Sequence, residues 1–340
     1  VSSPRAVAVA ALLLAGCGSG TPTAPAVRVT PRAAPAATGR VETHTFHSDA
    51  LGVDKAYVVY LPAGYDAAPT RRWPVFYYLH GLGGKETDWV MGGHLDVAAD
   101  ALALPAIVVM PDGDDDFYTD GLMPIDYAVC LARGEGLLDA REDRAHTCVR
   151  HRAYETYVLH DLIGHVDATY RTRADRASRG IAGLSMGGYG AFALALRHPD
   201  AFAAAASHSG VLSLRYGGPH PYRADKLVLA DDIGALAAGM GPLGRWILGL
   251  FGTDLATVKA HDPASLIEAL PPGAALPALY LDCGTEDDFG LDAGAAYVHD
   301  LLTARGVSHE FFLGPGPHDF PFWRDRVTHS LAFLRDHVAR

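Results

Sequence analysis

Short, nearly continuous apolar runs alternate along the chain with stretches in which apolar positions recur at helical spacing. Residues 56–61, 74–80, 106–110, 179–184, 202–207 and 278–282 are apolar runs of strand length, and 311–313 predicts a last strand. Pro62, Gly81, Pro111 and Gly113 stop the early runs, and 188–198 reads as a helix ended by Pro199. Runs without a polar face need cover on both sides. The pattern therefore predicts an α/β fold, with a mainly parallel central sheet flanked by helices. In such sheets ligands bind beyond the carboxyl ends of the strands. Chemistry is to be sought just after the apolar runs. Two segments, 112–157 and 213–262, break the alternation and read as lid-like insertions or binding walls. No internal repeat is evident.

The first forty residues follow another rule. Arg5 precedes an apolar run at 6–15, too short for an ordinary membrane span. Leu14-Ala15-Gly16-Cys17 then reads as a lipobox. On this expectation residues 1–16 are a lipoprotein signal peptide and Cys17 is lipidated. Residues 17–40, rich in Pro, Ala and Thr, form a tether. Residues 41–340 fold as one domain outside the cytoplasmic membrane, held to it by the lipid anchor or secreted.

Composition agrees with a globular domain. The 340 residues are 49% hydrophobic and 20% charged, enough apolar surface for a full core. The formal net charge is −11. The four arginines among residues 1–40 have no acid beside them, so 24 basic against 39 acidic residues leaves the remainder at −15. A nucleic-acid partner needs a basic face and is excluded, and a strongly anionic substrate is disfavoured. In an oxidising compartment Cys130 and Cys148 are candidates for a disulfide, whereas Cys283, inside an apolar run, reads as a buried hydrophobe. No Cys/His pair has zinc-ligand spacing, and no metal or other cofactor is expected. The run Asp112–Asp116 lacks the alternating oxygen ligands of a calcium loop and reads as a solvated loop.

One pentapeptide carries most of the chemistry. Gly183-Leu-Ser-Met-Gly187 lies directly after a strand and before a helix. Glycines there permit a sharp strand-to-helix turn with Ser185 at its apex, a nucleophile candidate. The Met186 N–H, at the helix start, can face a developing oxyanion. A serine hydroxyl needs a base. On such a scaffold the chain order is Ser, acid, His. His318 follows the last strand and the loop Gly314-Pro-Gly-Pro317, which makes it the candidate base. Asp287 and Asp288 both follow the turn at Gly284, and these residues alone do not separate them. Asp282 lies inside its strand and is less free to reach. The Leu82 N–H, in Leu79-His-Gly-Leu-Gly-Gly84, is the candidate second oxyanion donor.

Several motifs occur together and in one order. They are His80-Gly-Leu-Gly-Gly84, Glu86-Thr-Asp-Trp89, Pro111-Asp-Gly113, Tyr154-Glu-Thr-Tyr157, Gly183-Leu-Ser-Met-Gly-Gly188, Gly284-Thr-Glu-Asp287 and Pro317-His-Asp319 with Trp323. Together they resemble the Putative-esterase branch of the α/β-hydrolases, over residues 43–338. That branch includes S-formylglutathione hydrolases, feruloyl esterases and mycolyltransferases. The resemblance implies an α/β-hydrolase fold and a Ser185, Asp287, His318 triad. It supports Leu82 and Met186 as the oxyanion hole and implies substrate-site positions at His80, Tyr154, Glu155 and Trp323. The mycolyltransferases carry an acid where His80 stands, and S-formylglutathione hydrolases lack a lipobox.

The expected activity is a serine carboxylic-ester hydrolase acting on a small-molecule, lipid or carbohydrate ester. An envelope acyltransferase would use the same triad with an alcohol in place of water. A non-catalytic envelope binding lipoprotein is the third reading, and the full set Ser185, Asp287 and His318 weighs against it.

Overall fold

The apolar runs pair edge to edge into one eight-stranded sheet. The computed structural model of the protein describes residues 38–138, 143–239, 243–271 and 273–339. Its strands are β1 (Arg40–Ser48), β2 (Val53–Leu61), β3 (Val75–Leu79), β4 (Ile107–Pro111), β5 (Arg179–Leu184), β6 (Ala204–His208), β7 (Ala278–Gly284) and β8 (His309–Gly314). They lie in the order β1-β2-β4-β3-β5-β6-β7-β8. The β1–β2 and β2–β4 pairs are antiparallel, and all pairs from β4 through β8 are parallel.

The helices used below are α1 (Leu95–Ala101), α2 (Tyr127–Arg133), α3 (Arg144–Thr147), α4 (Met186–Arg197), α5 (Ile233–Gly239), α6 (Gly244–Phe251), α7 (Leu291–Ala304) and α8 (Phe320–His337). Strand side chains alternate between faces, and in the central strands β3, β4, β5 and β6 both faces are buried. Val75, Tyr77 and Leu79 of β3 join Ile181 of β5 and Ala191 and Leu194 of α4 in one core. Phe76 and Tyr78 turn the other way, to Leu95 of α1 and Leu331 and Leu334 of α8. That two-sided burial is why these strands read as continuous apolar runs.

Three features differ from the sequence reading. The edge strand β1 alternates mostly polar residues, so no apolar run marks it. It begins at Arg40, and the Gly39 N–H already donates to Asp100 Oδ1 at 2.7 Å. The fold therefore reaches into the last residues of the expected tether. The signal segment, Arg5 and Cys17 lie outside the described residues.

The run after β4 is not a solvated loop. Asp112, Asp114, Asp115 and Asp116 are all buried. Lys55, with a fully buried side chain, places Nζ 2.7 Å from carboxylate oxygens of both Asp112 and Asp114. Arg152 pairs with Asp116. A row of carboxylates reads as surface when its counter-charges lie far away in sequence, as these do. The third difference is at β8, which starts at His309, two residues before the expected run 311–313, and ends at Gly314.

Within the first insertion, Cys130 of α2 and Cys148 beyond α3 are joined as a disulfide, with Cα atoms 5.8 Å apart. Cys283 is buried and free.

Candidate active site

Ser185 sits where β5 turns into α4, with φ 53° and ψ −118°. Such a conformation is costly for a residue with a side chain and persists only where its surroundings enforce it. Here glycines enforce it. A Cβ on Gly183 would lie 2.2 Å from the Gly187 carbonyl oxygen, and one on Gly187 would lie 2.3 Å from that of Leu79. The turn is pinned further by the Ser185 N–H, which donates to the His208 carbonyl at 2.8 Å.

The β7 and β8 loops are pressed together in the same way. A Cβ on Gly284 would meet the Gly316 carbonyl oxygen at 2.0 Å. The Thr285 N–H donates to Gly314 O at 2.8 Å and the Glu286 N–H to Gly316 O at 3.1 Å. These contacts carry Asp287 and His318 into register. His318 Nδ1 lies 2.7 Å from Asp287 Oδ2, and His318 Nε2 lies 3.0 Å from Ser185 Oγ. Because Asp287 accepts at Nδ1, that nitrogen carries the proton and Nε2 is left as the base.

Asp287 is buried, and burial alone would raise its carboxyl. The His318 hydrogen bond and charge, with the Phe289 and Leu291 amides, hold it below the usual carboxylate range instead. Those amides donate to Oδ1 at 2.9 and 3.3 Å. Asp288 is exposed and outside this arrangement. The His318 ring packs edge-on against Phe289 and Trp323, with centroids 4.8 and 4.9 Å away.

Ser185, His318, Leu82, Met186 and Trp323 line one cavity of about 490 Å³. Met186 is the first residue of α4, so its N–H belongs to the first turn, whose amides have no acceptor within the helix. The cavity wall is largely apolar: Leu82, Phe117, Leu212, Leu214, Leu243 and Phe289 contribute. Among the described residues no Lys or Arg lines it. The second insertion supplies Ser213, Leu214, Tyr216, His220, Gly239 and Leu243, and thus forms one wall. Phe289 and these insertion residues were not singled out from sequence, where no spacing marks a wall built from separate loops.

Three expected substrate-site residues lie elsewhere. His80, Tyr154 and Glu155 do not line the cavity. Tyr154 is buried and its hydroxyl donates to Asp114. Glu155 pairs with Arg197 and with His198 at the end of α4. The His80 ring is buried under the Leu82 loop, where Nε2 accepts the Gly113 N–H at 2.8 Å. Asp282 belongs to a second Ser–His–Asp set: His208 Nδ1 lies 2.9 Å from Asp282 Oδ2, and His208 Nε2 lies 2.7 Å from Ser330 Oγ. All three residues are at most 1% exposed and none lines the triad's cavity, so no substrate reaches them. Among the described residues no group of three or more His, Cys, Asp or Glu side chains is placed to hold a metal ion.

Comparison with known proteins returns one consistent group. The family model described as "Putative esterase" matches residues 48–334. The protein named Esterase Rv1288, of Mycobacterium tuberculosis (strain ATCC 25618 / H37Rv), is 29% identical over 290 residues, covering 83% of this chain and 56% of that protein. An endo-1,4-beta-xylanase/feruloyl esterase of Xylanibacter ruminicola is 31% identical over 172 residues, covering 48% of this chain and 20% of its own length. The chain thus spans about half, or less, of these curated relatives. Among solved structures, a ferulic acid esterase superposes with a TM-score of 0.64 at 24% identity, covering 88% of this chain and 99% of that one. That likeness shows a shared fold.

Proposed function

We propose that this chain, which belongs to the Putative esterase family of α/β-hydrolases, is a serine carboxylic-ester hydrolase that works through an acyl-enzyme on Ser185. The observation that carries the reading is the continuous line from Asp287 through His318 to Ser185, opening into an apolar cavity. Ser185 Oγ attacks the acyl carbon while His318 Nε2 takes its proton. Asp287 keeps the imidazole in the correct tautomer and stabilises its charged form. The Leu82 and Met186 N–H groups receive the oxyanion. His318 then gives the proton to the departing alkoxide. Water, deprotonated by His318, attacks the acyl-enzyme, and the acid leaves as Ser185 is restored.

A largely apolar wall, with no Lys or Arg among the described residues that line it, favours an uncharged ester of a hydrophobic acid, alkyl or aryl. Ferulate-type acyl groups, named in the feruloyl esterase relative, fall within that class. We assign the chain to the outer face of the cytoplasmic membrane, tethered through lipidated Cys17. The lipobox supports this, and so does the Cys130–Cys148 disulfide, a bond that persists in oxidising compartments.

The test is a panel of p-nitrophenyl and feruloyl esters, run with wild type and Ser185→Ala and with an added alcohol. Ser185-dependent release of free acid is expected. Loss of all free acid to alcohol adducts would replace hydrolysis by acyl transfer, and full activity in Ser185→Ala would overturn the reading. For the anchor, Cys17→Ala should move the protein from the membrane fraction to the soluble fraction.

A further inference from the structure

The backbone around Leu82 is held from behind by the buried run that follows β4. The peptide that carries the Leu82 N–H also carries the Gly81 carbonyl, and in a trans peptide the two point in opposite directions. That carbonyl accepts the Gly84 N–H at 3.0 Å and faces His80 Nδ1 at 2.8 Å. Because His80 Nε2 accepts from Gly113, Nδ1 bears the ring proton and donates. The Leu82 N–H is thereby directed away from these partners. The next peptide, joining Leu82 to Gly83, has a different holder. Its N–H donates to Asp115 Oδ1 at 2.6 Å. Gly83 has φ +71°, a conformation that favours glycine, although a Cβ there would meet nothing within 4 Å. Conformation, and the hydrogen bond that maintains it, is what this position requires.

Asp115 is itself well anchored. It is 6% exposed. Its main-chain carbonyl accepts the indole N–H of Trp246, on α6, at 3.0 Å. Its neighbours are fixed by the Lys55 and Arg152 ion pairs. Asp114, Phe117 and Tyr118 take positive φ values of 45°, 52° and 49°. Non-glycine residues hold such angles only where the surroundings over-determine them. Apolar side chains would fill this space without a carboxylate to desolvate. The contact that needs a carboxylate is the one to Gly83.

We propose that Asp115 is a positioning residue for the oxyanion hole. By holding the Gly83 amide it fixes the Leu82–Gly83 turn and so aims the Leu82 N–H at the charge that develops in the transition state. The proposal rests on the ester-hydrolase reading of Ser185. A misaimed donor weakens transition-state binding and leaves ground-state binding nearly untouched.

The experiment uses the full chain, a p-nitrophenyl ester shown to be hydrolysed in a Ser185-dependent way, and an alkyl boronic acid as transition-state analogue. Asp115→Ala should lower kcat by about 10- to 100-fold, up to the cost of a group misplaced by about 1 Å and short of that of a donor removed outright. KM should stay within about twofold, and boronate affinity should fall by the same factor as kcat. Asp115→Asn keeps an acceptor oxygen and should recover most of the loss. Should Asp115→Ala not fold, Asp115→Ser, whose hydroxyl is too short to reach the Gly83 N–H, takes its place. An unchanged kcat, a rise in KM alone, or an Asn variant as impaired as the Ala variant would overturn the proposal. Absence of Ser185-dependent turnover in wild type would overturn the proposed function and this inference with it. An active wild type with an unimpaired Asp115→Ala overturns this inference alone.

Discussion

Substituting Ser330 by alanine probes the second Ser–His–Asp set, which copies the spacing of a triad without its access. Ser330 Oγ lies 2.7 Å from His208 Nε2, 2.9 Å from the Tyr78 hydroxyl and 3.1 Å from the Val327 carbonyl. All of it is enclosed between β3, β6 and α8. The alanine variant leaves His208 Nε2 and the Tyr78 hydroxyl buried with a lost partner. Each such loss costs about 1–3 kcal/mol, so the pair costs roughly 2–6 kcal/mol by the same reasoning. In a domain of about 300 residues that lowers Tm by roughly 3–10 °C. Thermal unfolding by circular dichroism measures the loss, and kcat/KM on an ester below its melting range should stay within about twofold of wild type. Ser185→Ala should do the reverse, keeping Tm and losing turnover. A Ser330→Ala protein with wild-type Tm and a tenfold or larger fall in kcat/KM would refute the claim that access separates the two sets.

Three further outcomes follow from the same geometry. Asp287→Asn should lower kcat by about 10³- to 10⁴-fold with little change in KM, because the His318 tautomer is no longer fixed; steady-state kinetics decides it. Replacing Cys130 and Cys148 by serine opens a loop spanning 18 residues and should cost about 3 kcal/mol, seen as a lower Tm that reductant no longer changes. Burial would raise the Asp282 carboxyl, but His208, Tyr280 and Arg326 hold it below the ordinary range. Its contribution is therefore present above the unfolded value of about 3.9 and lost as pH falls through the folded one. The Tm gap between wild type and Asp282→Asn should be widest near neutrality and close below about pH 4; a gap constant with pH would contradict it.

The nucleophile turn was legible because its physical requirement is written in residue types. The close approaches at Gly183 and Gly187 admit glycine alone, and the strand before and helix after are both strongly apolar. His318 was legible because a Gly/Pro loop sets it beyond the last strand. The acid was not, since Asp287 and Asp288 are chemically the same letter. What separates them is which carboxylate collects the Phe289 and Leu291 amides, a matter of backbone direction that family resemblance supplied. The run Asp112–Asp116 was misread for a related reason. Lys55 lies in an early strand and Arg152 beyond the disulfide, so composition shows four acids where the fold makes ion pairs and a brace. Tyr154 and Glu155 carry motif weight yet support the site from outside its cavity. The wall from the second insertion has no period, because its residues meet only through the turns that connect them.

The most direct test is the identity of the acylated residue. Wild-type protein mixed with a slowly turned-over p-nitrophenyl ester should release a burst of about one equivalent of p-nitrophenolate. The trapped protein should gain the mass of one acyl group, located by fragmentation at Ser185 within the tryptic peptide 180–197. Ser185→Ala should show neither burst nor adduct. Acylation at another residue, or an undiminished burst in Ser185→Ala, would contradict the account.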